Sequence, residues 1–337
     1  MVSQRKNPIN TLRRKYIQRA SAGSAALLLG RIAPAKAEAW RPDPGMYEVI
    51  ELDWFDRSRG RAIPTRLYRP RGQGKRFGDA CPIMVFSHGL GGSRAGYRYL
   101  AEFLSSKGVA CLHPQHVGSD RTIWTSGSPF LLADRLIAAS GDSEAIARVF
   151  DLRFVLDRLQ ADALAAGLDF NRVIVAGHSY GANSALLLGG ASVVRDGRKI
   201  DFRDSRPKAV IALSAPAFYG ESSWASILGP MNRPSLHITC SEDLIRIPGL
   251  LSGPEDRLAI FEASGGRPKC LAMFEGGSHS VFTDREAPGG FEANRQIKQA
   301  TCDLVLEFLR LTFERDPSAL ASWQLKYESL LRQFILV

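Results

Sequence analysis

From Met46 onward the chain breaks into short apolar stretches separated by polar and glycine-rich ones. "MYEVIELDWFD" and "RAIPTRLYRP" alternate apolar and polar positions, as half-buried strands do, and the intervening "RSRG" predicts an antiparallel hairpin. "PIMVFSH" and "VACLHP" are continuous apolar runs, the pattern of strands covered on both faces. Between them Tyr97, Leu100, Ala101, Phe103 and Leu104 recur at helical spacing, and Gly108 ends the helix. Residues 115–143 lose this regularity, with Trp124 and Phe130 set among Gly, Ser and Thr. Such an excursion is expected to shape a binding pocket. The long amphipathic helix "SEAIARVFDLRFVLDRLQADALA" follows, with a cap at Asp142 or Ser143. "RVIVAGHS", "KAVIALSAP", "PSLHITCSED" and "KCLAMFEGGSH" predict four more strands, with helices after the first and the last. Strands alternating with helices at this spacing predict an α/β fold. It has a mostly parallel sheet covered on both faces and one domain over residues 40–315. In residues 316–337, Leu320, Trp323, Tyr327, Leu330, Leu331 and Phe334 share a helical face. They predict a terminal amphipathic helix that docks on its own domain or joins two copies.

Charge changes the picture at one end only. The chain of 337 residues carries a formal net charge of +10, which by itself suggests nucleic acid or an anionic membrane. Eight of the basic residues lie within residues 1–37 with no acidic partner, so the remainder carries +2 and a nucleic-acid partner loses its support. The basic end reads "TLRRKYIQ", then the weakly apolar "ASAGSAALLLG", then "APAKAEA" with small-residue cleavage options. This resembles a twin-arginine export signal over residues 1–39, although Leu12 precedes the pair where Ser or Thr is usual. The competing reading is a basic tail. No run approaches the ~20 apolar residues of a membrane span. The expectation is an exported, periplasmic or secreted protein without a transmembrane segment.

The candidate chemistry sits in "VIVAGHSYGANSALLLGG". A serine hydroxyl becomes a nucleophile only with a base to take its proton, an acid to orient the base, and donors for the developing oxyanion. In G-x-S-x-G, Gly177 and Gly181 allow a sharp strand-to-helix turn with Ser179 at its apex, and the helix N-terminus favours negative charge there. Of six histidines, His279 alone follows the final strand in a permissive loop, "FEGGSHSVF". His237 reads as a packed core residue. His178 should point away from the serine, and either His113 or His116 could line the pocket. Asp243, just after a strand in "LHITCSEDLIRIPG", is the candidate acid, with Glu242 and Asp284 as weaker ones. The order Ser179, Asp243, His279 separates this arrangement from the chymotrypsin and subtilisin orders. "VFSHGLGGS" turns back at Gly89, so that the Leu90 and Tyr180 N–H groups are the candidate oxyanion donors. The five cysteines show no metal spacing, and no metal or organic cofactor is implied.

With these residues assembled, "PIMVFSHGLGGSRAGYRYLAEFLSSKGVACLHPQHVGSD" and "AGHSYGAN" resemble an α/β-hydrolase. More narrowly, the chain is similar to bacterial relatives of platelet-activating-factor acetylhydrolase and to dienelactone-hydrolase-like serine esterases. The resemblance implies Ser179 as nucleophile, His279 as base, Leu90 and Tyr180 as oxyanion donors, and hydrolysis of a small or lipid-like ester. Two departures stand out. The acetylhydrolase pattern puts its acid where this chain has Ser214, and dienelactone hydrolase has cysteine where this chain has Ser179. Amide cleavage, acyl transfer and a non-catalytic binding role on the same fold are the alternatives.

Overall fold

The computed structural model describes residues 42–337 apart from 72–76, 222, 248, 249, 286 and 289, all within the unit Trp40–Val337. The expected export signal lies outside the described residues. In chain order the strands and helices begin with β1 (Tyr47–Asp56), β2 (Arg61–Pro70), β3 (Cys81–Ser87), α1 (Arg98–Ser106) and β4 (Ala110–Pro114). There follow α2 (Thr122–Thr125), α3 (Leu132–Ala139), α4 (Asp142–Gln160), β5 (Leu168–His178) and α5 (Tyr180–Gly189). Then come β6 (Ser192–Arg195), β7 (Arg198–Asp201), β8 (Pro207–Leu213), α6 (Trp224–Leu228) and β9 (Ser235–Glu242). The rest are β10 (Ile245–Ile247), β11 (Leu250–Ser252), α7 (Pro254–Ala263), β12 (Lys269–Ser278), α8 (Phe291–Glu314), α9 (Ser318–Tyr327) and β13 (Leu331–Leu336).

One sheet runs β1-β2-β4-β3-β5-β8-β9-β12-β13. The pairings from β4 through β12 are parallel; the β1–β2 hairpin, its junction with β4, and β13 are antiparallel. This is the α/β-hydrolase architecture with the expected N-terminal hairpin. The central strands are mostly apolar because both faces are covered. Alternate residues split between two cores: Met84, Phe86, Ile174 and Ala176 face α1 and α8, whereas Ile83, Val85, Val173 and Val175 face α4 and α5. Among the described residues, no helix is long and apolar enough to cross a membrane.

The C-terminal expectation needs correction. Only Ser318–Tyr327 is helical, and Leu331–Leu336 pairs antiparallel with β12. The segment keeps its apolar side chains against the domain. Trp323 donates its indole N–H to Ala300 C=O at 2.9 Å, and the Phe334 ring lies 5.4 Å from that of Trp323. Helical spacing and strand alternation coincide over so few residues. The unpaired backbone edge of β12 decides in favour of a strand. The long helix α4 is capped by Gly141 and not by Asp142 or Ser143.

Candidate functional site

Strand β5 ends at His178, and α5 begins at Tyr180, so Ser179 makes the whole turn. Its φ of 55° and ψ of −126° lie in a region that side chains rarely occupy, which implies that the surroundings impose the bend. The flanking glycines explain how. A Cβ on Gly177 would overlap the Gly181 carbonyl, and one on Gly181 would overlap the Ser87 carbonyl at the end of β3. Two chain crossings that tight lift the hydroxyl to the surface of the turn.

Ser179 Oγ–H donates to His279 Nε2 at 2.9 Å, and His279 Nδ1–H donates to Asp243 Oδ1 at 2.7 Å. The carboxylate of Asp243 is fully buried and the imidazole is partly exposed. Burial is the strongest influence on the Asp243 carboxyl and works to raise its pKa. It is outweighed by the His279 hydrogen bond and charge, Arg257 and Ser214, which hold the group well below the usual carboxylate range. Asp243 also accepts from Ser214 Oγ–H at 2.5 Å, Thr239 Oγ1–H at 2.7 Å and Arg257 Nη2–H at 3.3 Å. Ser214 therefore occupies the position of the alternative acid and hydrogen-bonds the carboxylate that replaces it. Its hydroxyl at a strand end was a signal available in the sequence; nothing there pointed to Arg257. The weaker candidates separate from the site. Glu242 is exposed, and Asp284 accepts the backbone N–H groups of Arg98 and Tyr99 at the start of α1.

The loop 88–92 is fixed from three sides. His88 Nδ1–H and Gly92 N–H both donate to Gly89 C=O, at 2.8 and 3.0 Å. The peptide is planar, so the Leu90 N–H must point the opposite way. Gly89 N–H donates to Tyr97 Oη at 3.1 Å, Tyr97 O–H donates to His178 Nδ1 at 2.9 Å, and His178 Nε2–H donates to His279 C=O at 3.0 Å. His178 thus turns from the serine but supports the imidazole of His279, its ring centroid 4.7 Å away. Burial, then the nearby His279, push the His178 pKa down to about 3, so it stays neutral. On the third side the buried guanidinium of Arg148 holds His88 C=O and lies 4.7 Å over the Tyr180 ring. His113 and His116 are both buried and off the pocket. His116 Nδ1 pairs with Asp151 at 3.0 Å.

A cavity of about 1020 Å³, its open mouth included, contains Leu90, Ser179 and Tyr180 in its wall. As the first residue of its helix, Tyr180 has an N–H with no acceptor inside the helix. The remaining wall corrects the sequence reading. Of residues 115–143, only Ser140 and Asp142 reach the cavity. The rest of the excursion forms α2 and α3, whose Ile123, Leu136 and Ala139 pack beside Leu90 and Ile247. Val193 and Ile200 from the β6–β7 hairpin, Phe202 just after it and Phe218 are among the apolar residues of the wall, with Ile146 and Leu187. The hairpin had a legible signal, Asp196-Gly197 between alternating residues, that the sequence reading passed over. Arg195 ties it to α4 through Asp142 at 2.6 Å.

Comparison with known proteins bears on the fold and on one segment of the chain. A family model described as platelet-activating factor acetylhydrolase, isoform II, matches residues 66–127, from β2 through the 88–92 loop to α2. No curated protein matches the sequence. Among solved structures, a ferulic acid esterase from Streptomyces cinnamoneus superposes with a TM-score of 0.61 at 22% identity, covering 84% of this chain and 94% of its own. A puromycin hydrolase gives 0.53 at 17% identity over 81% of this chain, which spans only 40% of the hydrolase. The structural likeness shows an α/β-hydrolase fold, and residues 66–127 carry a likeness to platelet-activating factor acetylhydrolase, isoform II.

Proposed function

We propose that this chain is a serine hydrolase cleaving carboxylic esters through an acyl-enzyme. The observation that carries the reading is the continuous Ser179–His279–Asp243 hydrogen-bond line opening on an apolar cavity. In this reading His279 Nε2 takes the Ser179 proton as Oγ bonds to the ester carbonyl carbon. The oxyanion accepts from the Leu90 and Tyr180 N–H groups at the positive end of α5. Asp243 holds the imidazole in the tautomer that leaves Nε2 free and stabilises the imidazolium. Collapse breaks the carbon–oxygen bond, and the imidazolium protonates the departing alcohol. Water, deprotonated by the same nitrogen, then attacks the acyl-enzyme, which returns Ser179 and releases the acid. Every group in the cycle comes from the chain itself.

The acetylhydrolase-like segment and the esterase among the structural neighbours support an ester; the puromycin hydrolase keeps amides as the comparison. A fluorophosphonate probe should label the folded protein at Ser179, and Ser179→Ala should lower ester turnover by about a millionfold. Unlabelled protein, or near-normal turnover in the variant, overturns the proposal. Parallel assays on matched anilides decide between ester and amide. We further propose that residues 1–39 direct export, on the strength of "TLRRKYIQ" and the following small-residue site. Arg13→Lys with Arg14→Lys should leave the protein in the cytoplasm; unchanged export would discard the signal.

A further inference from the structure

We infer that Asn183 is a specificity-determining residue that recognises a hydroxyl group carried on the apolar portion of the ester. The inference rests on the esterase reading and names the substrate class that the cavity takes. Asn183 lies four residues beyond Ser179 on α5, about 6 Å along the helix axis, and lines the same cavity. The residue is 8% exposed, and its buried Oδ1 has no hydrogen-bond partner among the described residues.

Ser179 and the exposed Tyr219 aside, the other polar side chains of the cavity wall have partners within the protein. Ser140 Oγ–H donates to Ile137 C=O, Tyr180 O–H to Gly141 C=O, and Ser184 Oγ–H to Tyr180 C=O. Arg195 is neutralised by Asp142 and Glu221. What the cavity offers is therefore neutral: apolar walls from Ile146, Leu187 and the β6–β7 hairpin around one buried amide, with the exposed phenol of Tyr219 also in the wall. A bare hydrocarbon filling this space would leave the buried amide without a partner, which is costly. A carboxylate or ammonium would find no opposite charge that is not already paired. A hydroxyl both donates and accepts, so it satisfies whichever end of the amide faces it. Its place is several bonds from the reacting carbonyl, at the distance that separates Asn183 from Ser179.

The test uses matched ester pairs on the full chain. These are p-nitrophenyl hexanoate against 6-hydroxyhexanoate, and p-nitrophenyl 3-phenylpropanoate against 3-(4-hydroxyphenyl)propanoate. Acetates of alcohols with and without a terminal hydroxyl complete the set. We expect kcat/KM to favour the hydroxylated member by about tenfold on one half of the ester, which identifies the half that enters the cavity. In Asn183→Leu the ratio should fall to near one. Ratios near one for every pair in the unmodified protein, with Ser179 labelled and apolar esters turning over, overturn this inference and leave the esterase reading standing. A loss in Asn183→Leu shared equally by both members of each pair overturns it too. Absence of Ser179 labelling in the unmodified protein removes both.

Discussion

Buried histidines make this fold sensitive to mild acid, and the size of the effect follows from the structure. His113, His178 and His237 are at most 3% exposed, and burial pushes each pKa down to about 3. In the unfolded chain each titrates near 6.5. Above that value neither state holds the proton. As pH falls through 6.5 toward 3, the unfolded state binds protons that the folded state refuses, so stability present at neutral pH is lost. Between pH 7.5 and 5.5 each group contributes about 1.4 kcal/mol of loss, and the three together about 4 kcal/mol. His88, fully buried and also shifted well below its ordinary value by burial and Arg148, adds in the same direction. Asp151, whose carboxyl pKa burial raises against the pull of Arg61, opposes the trend but is a single group. A loss of about 4 kcal/mol is a large part of the 5–15 kcal/mol typical of a domain. Urea unfolding followed by circular dichroism at pH 7.5, 6.5 and 5.5 should show the midpoint dropping with an unchanged slope. A free energy that moves by less than about 1 kcal/mol across that range refutes the reasoning.

Three other outcomes are expected. Asp243→Asn should lower ester kcat by about 10⁴-fold while Glu242→Gln stays within about twofold; the reverse ranking in steady-state assays would reassign the acid. Tyr97→Phe removes the hydroxyl between Gly89 N–H and His178 Nδ1, so kcat should drop with little change in KM, and stability by about 1–3 kcal/mol. Unchanged kcat and urea midpoint would count against a positioning role. Deleting residues 331–337 bares the β12 edge and should convert a soluble species into self-associating material by light scattering; a stable monomer of normal urea midpoint argues otherwise.

Much of the fold was legible because buried parallel strands leave so plain a trace. "PIMVFSH", "VACLHP" and "RVIVAGHS" are dominated by apolar residues where both faces are covered, and the structure pairs all three. Ser179, His279 and Asp243 were legible because turn geometry restricts sequence: glycines flank the serine, and the imidazole and carboxylate each follow a strand. The cavity wall was not. Val193 and Ile200 belong to a short hairpin whose alternation spans four residues a side, too few to separate from loop without its Asp-Gly turn, and Phe202 lies just beyond it. The β13 strand was missed for a different reason: its partner edge is formed elsewhere in the chain, and local periodicity carries no record of it.

The hydrogen-bond line from Gly89 through Tyr97 and His178 to the His279 carbonyl means that the cleft's two polar ends behave as one rigid fixture. Any change that slides the 88–92 segment drags the imidazole with it. The β6–β7 hairpin stands outside that linkage and is fastened at its rim by Arg195, so its length and side chains can change without moving the imidazole. An engineer seeking a roomier cleft should lengthen or replace that hairpin and leave the glycine-rich segment untouched.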